Sequence, residues 1–179
     1  MTNKTIYKDA PPYCHYFFDL VKTDDLQFEL QKTKQLTQDL LGLITSENEN
    51  YSYQSNKWTT KEIVRHIIDC ERVFTYRALR FSRFDNTELA GFDENQYIDK
   101  IKGIEQNLND LKEEYENVRK STIALFKNMT NEMLDNQGTA NKGIFTARTL
   151  GFMTVGHNLH HCNFIKANYL NNNSSYQQQ

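Results

Sequence analysis

The sequence predicts an all-α protein and, within that class, a four-helix bundle. Three observations carry this expectation. Breakers are scarce: the 179 residues contain only 2 prolines and 7 glycines, too few for the turns of a β-sandwich or barrel. Four segments repeat their apolar residues at helical spacing rather than in alternation. Each segment is amphipathic, and amphipathic helices of this length bury their stripes against one another.

The first predicted helix covers about residues 24–44. Leu26, Leu30, Leu40 and Ile44 recur near multiples of a turn, with Leu36 and Leu43 alongside, and Thr23 or Asp24 can cap its start. The second covers about 60–83. Ile63, Ile67, Cys70, Phe74, Ala78 and Phe81 trace one face, and Glu62 follows Thr59 at capping-box spacing. The third covers about 98–128, where Ile101, Ile104, Leu108, Leu111, Tyr115, Val118, Thr122, Leu125 and Met129 alternate steps of 3 and 4 like a coiled-coil seam. The fourth covers about 147–170, with Leu150, Met153, His157, Phe164 and either His160 or His161 on one side. Two connections, Phe84 to Asn95 and Thr130 to Thr146, are longer than a tight bundle needs. The first leaves enough chain for a crossover, and long ordered loops at a bundle end often cover a site. Residues 1–170 read as one domain and 171–179 (NNNSSYQQQ) as a disordered polar tail.

Charge and composition narrow the function. Lysine plus arginine number 21 against 23 aspartate plus glutamate, so no basic excess supports nucleic-acid binding by bulk charge. No stretch approaches the roughly 20 apolar residues of a membrane span, and Met1 to Pro12 lacks the apolar core of a signal peptide. Cys14, Cys70 and Cys162 are odd in number, far apart and without a CxxC pair. That pattern fits a reducing cytoplasm.

The chemistry lies in the histidines, which are His15, His66, His157, His160 and His161. Three crowd into GHNLHH. His157 and His161 are four apart, and on a helix their imidazoles share a face one turn apart, the spacing used to hold zinc or another transition metal. His157 and His160 could serve equally, and the spacing does not choose between the pairs. His66 sits between Ile63 and Ile67 on the apolar face of the second helix. If the second and fourth helices meet, three neutral imidazoles converge and leave open positions, as in catalytic rather than structural sites. A lone histidine on an apolar face is more often a hydrogen-bonded core residue; the combination points to a metal.

Neighbouring residues have competing readings. Cys70, one turn from His66, can ligate, neighbour the site, or act as a small hydrophobe. Asp69 can orient an imidazole through its second nitrogen or pair with Arg65 or Arg72. Glu71, Arg72, Arg77, Arg80 and Arg83 read as a charged helix face, and one of the arginines can hold a substrate carboxylate. Tyr13, Tyr16, Phe17 and Phe18 read as core packing under the N-terminal segment, and Trp58 as a staple or packing residue.

Two passages, KWTTKEIVRHIIDCERVFTYRALRFSRFDNTELAGFDENQY (Lys57 to Tyr97) and FTARTLGFMTVGHNLHHCNFIKANYL (Phe145 to Leu170), together resemble the DinB-like superfamily, in particular its bacillithiol transferase branch. The resemblance runs from about Tyr16 to Leu170. It implies a bundle of up-down-down-up order with a long crossover between helices two and three, and a divalent metal (Zn, Ni, Fe or Mn) held by His66, His157 and His161, with His160 off the metal. It also implies a homodimer and the transfer of a low-molecular-weight, bacillithiol-like thiol to an electrophilic substrate. Asp69, His160 and Cys70 then become candidates for contact with the ligands. Asn158 departs from the family where an acidic residue is common, Ala90 where proline is common, and Cys70 where a small apolar residue is common. The alternatives are metal-dependent hydrolysis at the same site, against which the lack of an HExxH-type glutamate counts, and a non-catalytic, stress-related metal-binding role.

Overall fold

The computed structural model describes residues 5–170; residues 1–4 and 171–179, the latter being the tail expected to be disordered, lie outside the described residues. After two 3-10 turns, Thr5–Asp9 and Pro12–Cys14, come α1 (His15–Leu20), α2 (Leu26–Gly42), α3 (Thr60–Ser82), α4 (Glu94–Ile101), α5 (Leu108–Lys127) and α6 (Asn131–Asp135). A hairpin of β1 (Gln137–Ala140) and β2 (Gly143–Thr146) leads into α7 (Ala147–Ile165), which ends in a π-helical turn, Lys166–Leu170. Among the described residues no helix is long and apolar enough to cross a membrane.

Capping chemistry sets the helix starts. Thr59 and Glu62 form the expected capping box at α3. At α2 the cap is Asp25, whose carboxylate accepts from the Phe28 N–H at 2.9 Å, rather than Thr23 or Asp24. The third predicted helix begins ten residues late. Ile101 closes α4, Gly103 turns the chain at φ +84°, and the Asn107 side chain caps the new start by accepting from the Asn109 N–H at 2.8 Å. The apolar ladder through Ile101 and Ile104 is therefore split between two helices, and Ile104 is exposed. The hairpin turn places Asn141 and Lys142 at φ 49° and 62°, the two positive values of a type I′ turn. Leu89, in the first long connection, pairs in parallel with Ala140, donating to the Thr139 carbonyl and accepting from the Asn141 N–H, both at 2.9 Å. The two long connections thus brace each other.

Side-chain contacts fix the topology. α7 runs antiparallel to α3, since the Tyr169 hydroxyl donates to the Trp58 carbonyl while Phe74 meets His157. α5 runs parallel to α3, with Lys61 at Gln106, Arg65 at Glu114 and Glu71 at Arg119. α2 is antiparallel to α5, with Gln27 at Ile123 and Lys112 at Ile44, and parallel to α7, with Leu26 at Gly151 and Thr37 at Asn158. The order is up-down-down-up, as the family resemblance implies.

The interior is layered. One apolar cluster centres on Phe18, Phe81, Phe126, Leu150 and Phe152, and another on Leu40, Ile63, Ile68, Leu111 and Ile165. Buried polar residues lie between them. On α5 the buried stripe passes through Leu111, Tyr115, Arg119, Thr122 and Phe126, so Arg119 and Phe126 replace Val118 and Leu125 of the predicted seam. Arg119 is fully buried and clamps Glu71, donating to its carboxylate oxygens at 2.7 and 2.8 Å. It also donates to Thr33 Oγ1 at 2.7 Å and Asn158 Oδ1 at 2.8 Å, and Tyr115 and Thr37 donate to the same Asn158 oxygen. Glu71 and Arg77, 2% and 6% exposed, correct the reading of a solvated charged face on α3.

Candidate metal centre

His66 reaches the interior from α3, and His157 and His161 reach it from one face of α7. Their Nε2 atoms form a near-equilateral triangle: 3.0 Å from His66 to His157, 3.1 Å from His66 to His161 and 3.1 Å from His157 to His161. A point about 2.1 Å from each nitrogen, the ordinary imidazole–metal bond length, exists just outside the plane of that triangle. The three residues form a group able to hold a metal ion.

Burial keeps these rings neutral. It lowers His66 to about 4, with His160 adding a smaller push, and drives His157 and His161 well below the usual histidine value. Neutral rings protonated on Nδ1 direct three lone pairs at one point, an arrangement repulsive in itself and suited to a cation. The outer nitrogens fit that tautomer unevenly. Cys70 Sγ lies 3.6 Å from His66 Nδ1 and 3.8 Å from its Nε2, beside the ring, whereas His161 Nδ1 is buried without a hydrogen-bond partner. Burial also raises the Cys70 thiol far above its usual range, so it behaves as a neutral neighbour of His66.

The other sequence candidates fall elsewhere. Asp69 faces Arg65 at 3.7 Å and Arg72 at 3.9 Å; of the two readings open in the sequence, the structure has the pairing with arginines rather than the orientation of an imidazole. His160 sits at the rim, its Nδ1 3.0 Å from the Tyr16 hydroxyl and its ring edge-on to Phe17. His15 lies apart, with Nε2 2.9 Å from the Tyr7 carbonyl.

A cavity of about 420 Å³ opens over the triangle. Trp58 lies tilted against the His66 ring, centroids 4.8 Å apart, and Phe17 and Phe74 flank His157 at 5.7 and 5.6 Å. Phe17 gets there because α1 packs onto α7 at Gly156, where an added Cβ would fall 2.1 Å from the Phe17 carbonyl oxygen. The sequence reading of the N-terminal aromatics holds for Phe18, which is fully buried, but Tyr13 and Tyr16 are more than half exposed and Tyr13 lines the cavity. Arg77, Phe92, Glu94 and Asn141, which complete the wall, come from α3 and the two long connections. The length of those connections was the sequence signal for Phe92, Glu94 and Asn141, and the arginine-rich face of the second predicted helix the signal for Arg77.

Fold and site together define an up-down-down-up bundle with a three-histidine group at the floor of a cavity. The sequence profile of the DinB superfamily matches residues 29–165, and the chain belongs to that superfamily. No curated protein matches it. Among solved structures, one similar chain is YfiT from Bacillus subtilis, described as a probable metal-dependent hydrolase with an unusual four-helix bundle topology. It is 16% identical, with a TM-score of 0.73 over 86% of this chain and 88% of that one. The DinB-like protein YjoA, also from Bacillus subtilis, is 18% identical, with a TM-score of 0.60 over 86% of this chain and 95% of its own. At these identities the likeness establishes the fold.

Proposed function

We propose that the protein is a metal-dependent enzyme in which His66, His157 and His161 hold a divalent ion, and that it transfers a small thiol to an electrophilic carbon. The observation that carries this reading is the triangle of Nε2 atoms 3.0–3.1 Å apart at the floor of a cavity. The bound ion supplies Lewis acidity that lowers the pKa of a thiol or water placed beside it. The three imidazoles contribute neutral donors, so the site keeps its positive charge for that task. The Cys70 sulfur lies beside the His66 ring, 3.6 Å from Nδ1 and 3.8 Å from Nε2. Phe17, Phe74 and Trp58 keep water from the rings.

Thiol transfer is preferred over hydrolysis because it needs no protein base once the thiol is acidified. Around the triangle the carboxylates of α3 are engaged elsewhere, Asp69 with Arg65 and Arg72, and Glu71 with Arg119. Hydrolysis, the activity ascribed to YfiT, would draw its base from Glu94 or His160 on the cavity wall. Metal analysis of the purified protein, followed by assays of thiol consumption with a generic electrophile and of ester cleavage without thiol, tests the proposal. Bound metal with thiol-dependent turnover supports transfer; thiol-independent cleavage replaces it with hydrolysis; bound metal without either leaves a binding role.

A reducing cytoplasm and a homodimer belong to the same proposal. The free state of buried Cys14, Cys70 and Cys162 supports the first. The exposed Tyr76 and Leu79 on α3 offer apolar surface for the second, checked by whether light scattering gives twice 21.1 kDa.

A further inference from the structure

We propose that Arg77 is the anchor for a carboxylate on the small molecule that enters this cavity; the inference rests on reading the cavity as the substrate site. Arg77 is 6% exposed, and arginine stays protonated at neutral pH even when buried. A buried cation normally has a carboxylate beside it. Arg119, in the same bundle, has Glu71. Arg77 has no carboxylate within ion-pair distance among the described residues. Its assigned contacts are one N–H donated to the Ala90 carbonyl at 2.9 Å and its guanidinium over the Phe92 ring at 5.5 Å. Burial is accordingly the largest influence on its pKa and lowers it.

The cavity makes sense of the missing partner. Arg77 lines it together with the three histidines, and His66, Cys70, Phe74 and Arg77 form one ladder on α3 with steps of 4, 4 and 3. Eleven residues of helix rise about 16 Å, which the length of the arginine side chain shortens. The cavity thus has a metal-type floor at one end and a cationic fork at the other. The Ala90 bond and the Phe92 ring hold the fork in place, leaving donors for a planar anion, and a carboxylate matches that geometry with two parallel hydrogen bonds. One guanidinium balances one negative charge, and Glu94 on the same wall disfavours a phosphate dianion. The implied substrate is a thiol or electrophile with a carboxylate several bonds from its reacting atom.

The test uses the full chain loaded with Co²⁺ and three probes, 3-mercaptopropionate, 6-mercaptohexanoate and 8-mercaptooctanoate, each beside its methyl ester. Calorimetry reads affinity, and the sulfur-to-cobalt absorption band separately reads thiol arrival at the metal. The expected result is at least one acid binding tenfold or more tighter than its ester, with the preference lost in Arg77→Gln and partly kept in Arg77→Lys. Because Arg77 also ties down the Ala90 loop, the acid-to-ester ratio decides, since a merely structural role would weaken both probes alike. Equal binding of acid and ester by the wild type, a preference that survives Arg77→Gln, or no binding of either probe overturns the proposal. A missing absorption band with an intact acid preference would sink the metal reading and leave the Arg77 assignment standing.

Discussion

Two buried polar clusters sit side by side in this bundle, built by the same helices, and they differ in how they balance. Around Arg119 every strong donor has an acceptor: Glu71, Thr33 and Asn158 on three other helices take its N–H groups, and Tyr115 and Thr37 complete the Asn158 oxygen. Around His66 the three Nε2 atoms converge on one another, with the Cys70 sulfur 3.8 Å from one of them, and His161 Nδ1 has no hydrogen-bond partner among the described residues. A cluster that closes on itself holds helices together. One that converges without closing is arranged for something outside the chain. Asn158, next to His157, belongs to the closed cluster. Among the described residues Glu71 alone carries the charge opposite Arg119.

The sharpest way to break this contrast is to unbalance the closed cluster. Arg119→Ala strands Glu71 and should cost about 3–5 kcal/mol, read by urea denaturation of metal-free protein, while Arg119→Met with Glu71→Leu should recover most of it. In the open cluster the same kind of truncation should act on metal instead. His66→Ala, His157→Ala or His161→Ala should cut metal affinity at least a hundredfold by calorimetry, and His160→Ala should retain it. Wild type should gain about 2.7 kcal/mol at a metal concentration of 100 Kd, and the three ligand variants none. Gly156→Ala, which drives a Cβ into the Phe17 backbone, should destabilise by about 1–3 kcal/mol, and a thermal melt with and without metal would show whether α1 matters to both clusters. Cys70→Ala, which removes the sulfur packed beside the His66 ring, should weaken metal by about tenfold or less and leave folding little changed.

The smallest effect concerns a surface pair outside both clusters. Hydrogen bonds from Arg65 hold Glu114 down at about 2, with Arg72 assisting. A depressed carboxylate pKa stabilises above its unfolded value and loses that contribution as pH falls through the folded value. Stability should therefore decline from about pH 4.5 toward 2, and Glu114→Gln should flatten that slope by about 1 kcal/mol, since the pair is only partly buried and solvent still screens it.

Periodicity and capping made the four long helices legible, with α3 matching to a residue or so because Thr59, Glu62 and an unbroken apolar face agree. The break before α5 was hidden because Ile101 and Ile104 keep the helical beat across Gly103. The hairpin was hidden because its turn is Asn141-Lys142, lacking the glycine that usually marks positive φ. The histidine triangle was readable since its residue types are rare and their spacing informative. The Arg119 cluster was not, because a charged residue one step from an apolar seam looks like surface until the helix carrying its partner is placed 48 positions away. Arg77 was legible only as one of several arginines, any of which could hold a substrate carboxylate, because its burial shows only once the cavity is formed.

The reach of Arg119 also bears on how the chain folds. From α5 it touches α2, α3 and α7, so any intermediate with one of those helices undocked carries a desolvated charge with incomplete compensation. Such species lie high in free energy, and partial opening is suppressed in favour of all-or-none unfolding. Amide protons at the centres of α2, α3, α5 and α7 should then exchange through a single global opening, sharing one protection free energy. The terminal turns and the hairpin, which the cluster does not touch, exchange earlier and independently.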